Sequence, residues 1–232
     1  ELGAEVIELP SIDLVPCEQN EPLQTALEDI VSYQWVAFTS AMGVRFFFDF
    51  LQKNRVDVRR LSHLRFAVIG QGTRDELAKH GIFADLMPSS YYAKDLAQAL
   101  CQTMQKGQRV LLPRARIGSK DLTDILTQNG IEFTDVALYD TIYQSHNTHA
   151  VEKLIDDGQV SCAVFTSAST VRGFAATMQG KDLSLPTAAC IGEKTAQAAK
   201  EYNMKVMIAK EATIDSVTQM LVEHADELRL NR

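Results

Sequence analysis

The segment Ala37-Phe38-Thr39-Ser40, followed by Val44-Arg45, returns as Val164-Phe165-Thr166-Ser167, followed by Val171-Arg172. The second copy lies 127 residues after the first. Two further landmarks repeat in the same order: Gly3-Ala4-Glu5-Val6 returns as Gly130-Ile131-Glu132-Phe133, and Ile69-Gly70-Gln71-Gly72-Thr73 returns as Ile191-Gly192-Glu193-Lys194-Thr195. Matches in one order indicate a duplicated unit, so we expect two similar domains with a crevice between them as the place for a site.

Short apolar runs alternate with longer amphipathic ones along the chain. The apolar runs predict buried strands and the amphipathic segments predict helices, which favours an α/β fold with parallel sheets covered on both faces. The predicted strands are Val6–Leu9, Trp35–Thr39, Phe66–Ile69, Val110–Leu112, Phe133–Leu138, Ala163–Thr166 and Ala188–Ile191. Each copy is predicted to be a small doubly wound domain that binds ligands at the carboxyl ends of its strands. Thr73 and Glu76 have the spacing of a capping box.

The repeat also predicts that an opening strand is missing. The second copy contains the run Val110–Leu112 and a helical stretch before Gly130, and the partner of Val110 in the first copy would fall before residue 1. We therefore expect about 20 more residues in the natural protein, or another segment that fills the gap. The polar stretches Pro10–Pro22 and Thr141–His149 are predicted to be the crossings between domains.

Composition excludes several classes of protein. The 232 residues are 46% hydrophobic and 23% charged, which is typical of a globular protein with a sizeable core. The net charge of −7 argues against a broad nucleic-acid or anionic-membrane surface, because such surfaces are rich in Lys and Arg. No run approaches the roughly 18 apolar residues of a membrane span. The 4 cysteines lack Cys-x-x-Cys spacing, which favours reduced thiols in the cytoplasm.

Hydroxyl residues and glycines occupy the turns that follow the repeated strands. There the hydroxyls and the free N–H groups of a helix start converge, which suits a carboxylate or a phosphate. The candidate binding residues of these turns are Thr39, Ser40, Gly70, Thr73, Ser167, Ser169, Gly192 and Thr195. Serine and threonine are also favoured as helix caps, so a purely structural role is the alternative for each of them.

Other motifs give no sharper prediction. The chain has neither Gly-x-Gly-x-x-Gly nor a Gly-Lys-Ser/Thr phosphate loop. His146 and His149 stand three residues apart without a third ligand nearby in sequence, so we predict no metal site. The phenylalanines between Phe46 and Phe50 predict a helix packed on its sheet rather than a stacking platform.

An ordered set of motifs resembles the uroporphyrinogen-III synthase family along essentially the whole chain. The motifs are Phe38-Thr39-Ser40, Ile69-Gly70-x-x-Thr73, Leu112-Pro113-Arg114 with Lys120-Asp121 opening the next helix, and Val136-Ala137-Leu138-Tyr139-Asp140-Thr141. The family opens with a strand and a Thr-Arg-Pro turn, which are absent here. The resemblance implies two flavodoxin-like domains joined by a two-stranded linker, with the substrate in their cleft. One domain would hold residues 13–143 and the other residues 1–12 with 144–232.

The resemblance further implies a hydro-lyase of haem biosynthesis that uses no cofactor. It would close the linear tetrapyrrole hydroxymethylbilane to uroporphyrinogen III, with loss of water and inversion of the last pyrrole. We expect a cytoplasmic monomer whose substrate is handed over by hydroxymethylbilane synthase. Because the chain is acidic, binding of the substrate carboxylates would be local, through the turn residues together with Arg114, Lys194 and Arg116. For Arg114 and Lys194 a solvated surface role is the alternative.

Tyr139 is the candidate general acid. A phenol is protonated at neutral pH and can donate a proton to the leaving hydroxyl. The alternative is a strand-end aromatic residue that only closes the core. A second function class is also open, namely a two-domain protein that closes over a small polyanionic ligand without reacting it. The product distinguishes the two classes, because uncatalysed closure gives the uninverted type I ring.

Overall fold

The computed structural model describes residues 3–143 and 148–228. Helices and strands alternate along the chain, so the predicted α/β class is confirmed. The chain divides into two compact units. The central unit is Leu14–Asp140, and the terminal unit is Glu1–Asp13 with Thr141–Arg232. The division into α/β domains of residues 13–143 and of residues 1–12 with 144–232 stays a prediction.

A five-stranded sheet forms the middle of the central unit. Its strands are β1 (Ile12–Pro16), β2 (Trp35–Phe38), β3 (Arg65–Val68), β4 (Arg109–Ala115) and β5 (Glu132–Tyr143), in the order β1-β5-β4-β2-β3. Strand β2 runs parallel to β3 and β4, and β4 runs parallel to β5. The carboxyl ends of these four strands therefore share one edge of the sheet.

Helices cover both faces of this sheet. They are α1 (Glu21–Glu28), α2 (Ala41–Lys53), α3 (Gln71–Ala78), α4 (Ala93–Thr103) and α5 (Lys120–Gln128). Val36 and Phe38 of β2 pack in one apolar cluster with residues of α1 and α2. Trp35 and Ala37 pack in a second cluster with residues of α4 and α5. Because successive strand residues face opposite sides, burial on both faces explains why β2 is a continuous apolar run.

The terminal unit contains a three-stranded parallel sheet. Its strands are β6 (Cys162–Phe165), β7 (Thr187–Cys190) and β8 (Val206–Ile208), in that order. Its helices are α6 (His149–Asp156), α7 (Ala168–Thr177), α8 (Glu193–Lys200), α9 (Ile214–Glu223) and α10 (Ala225–Leu228). Phe165, Phe174 and Cys190 lie in its main apolar cluster. The repeated Phe-Thr-Ser and Ile-Gly landmarks thus occupy equivalent strand–helix turns in both units.

The prediction of a strand at Val6–Leu9 is wrong. These residues form no strand, and Val6 is 79% exposed. In the central unit the equivalent strand β5 pairs with β4, and β4 pairs with β2. No described strand of the terminal unit corresponds to β4. Residues 6–9 consequently have no neighbouring strand to which their backbone groups can hydrogen-bond. Without such a neighbour they do not form a strand.

The predicted crossings contain regular structure instead of loops alone. Strand β1 and the first residues of α1 lie within Pro10–Pro22, and β5 extends to Tyr143. The unit boundaries fall inside β1 and β5, which are neighbours in the sheet, so the chain passes between units through two adjacent strands. His146 lies outside the described residues. In the parts that are described, no helix is long and apolar enough to cross a membrane.

Candidate functional site

The carboxyl edge of the central sheet brings together the predicted residues of the first copy. Ser40 is the N-cap of α2, and its Oγ accepts a hydrogen bond from the Gly43 N–H at 2.9 Å. The same Oγ lies 3.1 Å from the Tyr139 Oη. Thr39 is half-buried beside Ser40. At this edge the Tyr139 phenol therefore contacts the Ser40 hydroxyl, which also accepts a hydrogen bond from the N-terminus of α2.

A β-bulge aims Tyr139 at this edge. Arg114 pairs with Ala137 and Ala115 pairs with Tyr139, so Leu138 is an extra residue on β5. Leu138 and Tyr139 both pack in the apolar cluster of α1 and α2. Successive residues of a regular strand would face opposite sides, whereas a bulge lets both side chains face the same helices. The Tyr139 ring lies 4.9 Å, centroid to centroid, from the ring of Phe46 on α2.

Gly70 and Gly192 begin the matching helices α3 and α8 as N-caps that contribute no side-chain hydrogen bond. Thr73 and Thr195 follow as the third helical residue, and each is 4% exposed. Among the described residues, neither threonine hydroxyl has a hydrogen-bond partner in the protein, and neither oxygen is fully enclosed. These two helix starts therefore combine uncapped backbone with a hydroxyl that makes no hydrogen bond within the protein, which is an arrangement that a carboxylate can complete.

The predicted capping box at Thr73 is wrong. Helix α3 begins two residues before Thr73, because Gly70 takes the cap position. Glu76 instead binds Arg45 of α2, with oxygen–nitrogen distances of 2.8 and 3.0 Å, and accepts from Lys79 at 2.8 Å. These cations lower the pKa of Glu76 to about 2, despite its burial. The Arg45–Glu76 pair fastens α3, and hence Thr73, to α2.

The matching turns of the terminal unit hold Ser167, Ser169, Gly192, Lys194 and Thr195. Ser167 is the N-cap of α7 and forms a capping box with Thr170. Its Oγ also lies 2.9 Å from the Ser169 Oγ. Lys194 is exposed on the first turn of α8. The terminal unit thus repeats the hydroxyl-rich turns of the central unit, with a lysine added.

Arg114 lies in a buried network rather than on the surface. It is 6% exposed, and its Nε and Nη2 donate to the two Asp135 oxygens at 2.8 and 2.6 Å. Its Nη1 donates to the Ser119 carbonyl at 2.7 Å. A Cβ on Gly118 would lie 2.6 Å from that Nη1. The guanidinium therefore holds the loop after β4 against β5. A substrate carboxylate could bind Arg114 only by displacing Asp135.

Arg116 is the exposed cation of this region. Its side chain is 58% exposed, and its Nε lies 2.7 Å from an oxygen of Asp140. Its Nη2 contacts the Cys17 Sγ at 3.2 Å, and its backbone N–H donates to the Tyr139 carbonyl at 3.0 Å. Surface pairs of this kind contribute about 0–1 kcal/mol, so Arg116 exchanges partners at little cost.

Sequence reasoning missed two residues of this edge. The acidic Asp135 inside the predicted apolar strand Phe133–Leu138 was a signal that a cation of a neighbouring strand pairs with it. Tyr91, whose ring lies against Gly70, had no such signal because the contact depends on the path of the loop before α4. No group of three or more metal-ligating side chains exists in the described ranges, where His149 lies 3.6 Å from a carboxylate oxygen of Glu152.

Comparison with known proteins identifies relatives of the whole chain. The model of the uroporphyrinogen-III synthase HemD family matches residues 1–219. A porphyrin biosynthesis protein HemD of Ruminiclostridium josui is 40% identical over 96% of this chain and 44% of its own length. This chain thus spans less than half of that relative. A uroporphyrinogen-III synthase of Synechococcus elongatus is 30% identical over 93% of this chain and 84% of its own length.

Solved structures agree with the two-domain α/β fold. A mutant uroporphyrinogen III synthase of Thermus thermophilus has a TM-score of 0.68 at 15% identity, covering 98% of this chain and 90% of that one. Uroporphyrinogen-III synthetase of Helicobacter pylori 26695 has a TM-score of 0.67 at 19% identity, covering 98% of this chain and 97% of that one. At such identities these likenesses establish the fold alone.

Proposed function

The chain belongs to the uroporphyrinogen-III synthase family, and we propose that it closes hydroxymethylbilane to uroporphyrinogen III in tetrapyrrole biosynthesis. In this proposal it acts as a cofactor-free hydro-lyase, as a monomer in the cytoplasm, on substrate supplied by hydroxymethylbilane synthase. Besides the family match, the observation that carries the proposal is the contact of 3.1 Å between Ser40 and Tyr139 at the carboxyl edge of the central sheet.

Tyr139 serves as the general acid. The electron pair of the terminal pyrrole nitrogen expels the hydroxymethyl oxygen, and the phenol donates the proton with which that oxygen leaves as water. The ring at the far end of the chain then attacks the resulting electrophile at its substituted position. A spiro intermediate forms, fragments and closes in the opposite sense, and loss of a ring proton restores the aromatic pyrrole. General acid catalysis of this kind contributes about 10² to 10⁴ in rate.

Ser40 orients the phenol proton. Its oxygen accepts the Gly43 N–H, and in this proposal its own proton is donated to the Tyr139 oxygen, which lies 3.1 Å away. A phenol that accepts this hydrogen bond keeps its own proton for the leaving group. Negative charge that develops on the phenol is stabilised by Ser40 and, through Ser40, by the N-terminus of α2.

Substrate carboxylates bind at the starts of α3 and α8. Thr73 and Thr195 supply hydroxyls, and the uncapped helix starts supply amides. Lys194 and Arg116 add positive charge, whereas Arg114 keeps the β4–α5 loop in place. Hydrogen bonds to charged groups contribute about 1.5–3 kcal/mol each, so several of them give micromolar binding without a basic surface. Holding the substrate folded in this way selects the inverting path over spontaneous closure.

The ring isomer formed from hydroxymethylbilane tests the proposal. The substrate is generated in place by its own synthase in the presence of the full-length protein, and the oxidised products are separated. The type III isomer is expected to dominate, and a chelator is expected to leave the rate unchanged. If the product is the type I isomer alone and the protein still binds a polycarboxylate, the proposed function is wrong and the chain is a two-domain binding protein.

A further inference from the structure

The ring of Tyr91 lies against Gly70 at the start of α3. A Cβ added to Gly70 would lie 2.9 Å from the Tyr91 Cδ1 and 3.0 Å from its Cγ, so a larger residue would require the ring to move. The φ of −175° at Gly70 is extended backbone, so the limit is space and not conformation. Glycine at position 70 therefore makes room for this ring.

Tyr91 remains open to solvent although it packs on Gly70. The residue is 43% exposed. Within the described part of the chain its hydroxyl has no hydrogen-bond partner. The next residue, Tyr92, differs because the Lys94 ammonium lies 5.7 Å from its ring centroid. Tyr91 thus offers both an aromatic surface and a hydroxyl.

This aromatic surface adjoins a group of hydrogen-bond donors that have no acceptor within the described part of the protein. In the described residues the amides of Gln71 and Gly72 have no acceptor, and the hydroxyl of Thr73, a residue that is 4% exposed, has no partner in the protein. Donors at a helix start suit a carboxylate, and a tyrosine ring suits a flat π-system. Together they suit an aromatic ring that carries a carboxylate on a short side chain.

The matching turn of the terminal unit lacks this aromatic cover. A Cβ on Gly192 would meet no atom within 4 Å. The loop before α9 there carries Lys210 and Glu211 and has no aromatic residue. The two repeated turns are therefore not equivalent, and only the one in the central unit pairs the donors with a ring.

We propose that Tyr91 is a specificity-determining residue that stacks on one pyrrole of the substrate, while a carboxylate of that pyrrole binds at the start of α3. This inference rests on the proposed function. Stacking fixes the plane of the pyrrole before ring closure. It therefore favours the inverting closure over the spontaneous one, in which no protein surface holds the ring.

Three variants test this role. In Tyr91→Ala we expect KM to rise about 5- to 20-fold, with a smaller change in kcat and a larger share of type I product, because stacking is lost. Tyr91→Phe retains the ring and should stay within about 2-fold of the unaltered protein in KM. Tyr92→Ala is the matched control, since it removes a neighbouring exposed tyrosine, and it should leave KM and the isomer ratio unchanged.

A second route to the same site uses Gly70→Ala, whose added methyl group displaces the Tyr91 ring. It should reproduce the isomer shift of Tyr91→Ala while the melting temperature stays within a few degrees. Equal KM values and isomer ratios for Tyr91→Ala and Tyr92→Ala would overturn the inference. If the unaltered protein itself yields type I product alone, the proposed function fails instead, so the two failures are distinguishable.

Discussion

The Ser40 Oγ lies 3.1 Å from the Tyr139 Oη, although the two residues are 99 positions apart in the sequence. Ser40 follows β2 and Tyr139 lies on β5, with β4 between these strands. The contact spans the middle strand because α2 begins above β4 and the bulge turns Tyr139 toward α2. A Cβ on Gly43 would lie 3.3 Å from the Pro113 carbonyl oxygen, which indicates how closely α2 sits on β4.

Ser40→Ala should lower turnover by more than its effect on stability explains. It removes the cap of α2, which costs about 1 kcal/mol of unfolding free energy, and it also removes the partner of Tyr139. Thr213→Ala is the control, because Thr213 caps α9 in the same way and touches no proposed site residue. We expect a similar loss of stability in both variants and a loss of activity in Ser40→Ala alone. Equal activities of Ser40→Ala and Thr213→Ala would show that Ser40 has no role in catalysis.

Tyr139→Phe should lower kcat by about 10- to 1000-fold with little change in melting temperature, because only the hydroxyl is removed. Tyr33→Phe is the matched control. Its hydroxyl lies 2.8 Å from the Thr134 Oγ1, near the opposite end of β5. That control should lose about 1 kcal/mol of stability and keep its activity. A parallel fall of stability and activity in Tyr139→Phe would instead favour a structural phenol.

Thr73→Val and Thr195→Val separate binding from packing. Both residues are 4% exposed, and neither hydroxyl has a partner among the described residues, so valine, which has the same shape, should leave the melting temperature within a few degrees. Activity should nevertheless fall, mainly through a higher KM, because each hydroxyl is proposed to bind a substrate carboxylate. Steady-state kinetics and thermal unfolding, measured on the same samples, distinguish a loss of substrate binding from a loss of stability. Unchanged KM values in both variants would exclude the hydroxyls from binding.

Arg114→Ala should lower the free energy of unfolding more than it impairs substrate binding. It removes the guanidinium that holds the β4–α5 loop against β5, and hydrogen bonds to charged groups contribute about 1.5–3 kcal/mol each. The actual loss should be toward the lower end, because the Asp135 side chain is 38% exposed. Asp135→Asn should give a loss of the same kind, and Arg116→Ala should raise KM with little change in stability. A normal melting temperature with a high KM in Arg114→Ala would make Arg114 a substrate ligand after all.

Glu76 should contribute to the loss of unfolding free energy at acidic pH. Its pKa falls from an ordinary 4.5 to about 2 in the folded protein. A carboxylate with a lowered folded-state pKa stabilises the fold above its unfolded pKa, and this contribution is lost as pH falls from about 4.5 to about 2. Glu76→Gln should therefore be less stable at pH 7 and depend less on pH across that window. Asp124→Asn, an exposed substitution on α5, is the control for denaturant unfolding at each pH.

Local patterns predicted the strands around the site but not the starts of its helices. The run Trp35–Phe38 is apolar because both faces of β2 are covered, and that property is visible in the sequence. The spacing of Thr73 and Glu76 also fits a capping box, yet Gly70 is the cap. The carboxylate of Glu76 binds Arg45 of another helix, a partner that a local pattern does not contain.

The sequence by itself determined the duplication, the α/β class, the family and the hydroxyl-rich turns, because strand and helix periodicity and the order of motifs are properties of contiguous residues. Only the tertiary structure decided that Arg114 is buried against Asp135, that residues 6–9 form no strand, and that a bulge turns Tyr139 toward Ser40. Those outcomes depend on which strands become neighbours and in what register. Contacts between residues far apart in the chain set both, so no local pattern encodes them.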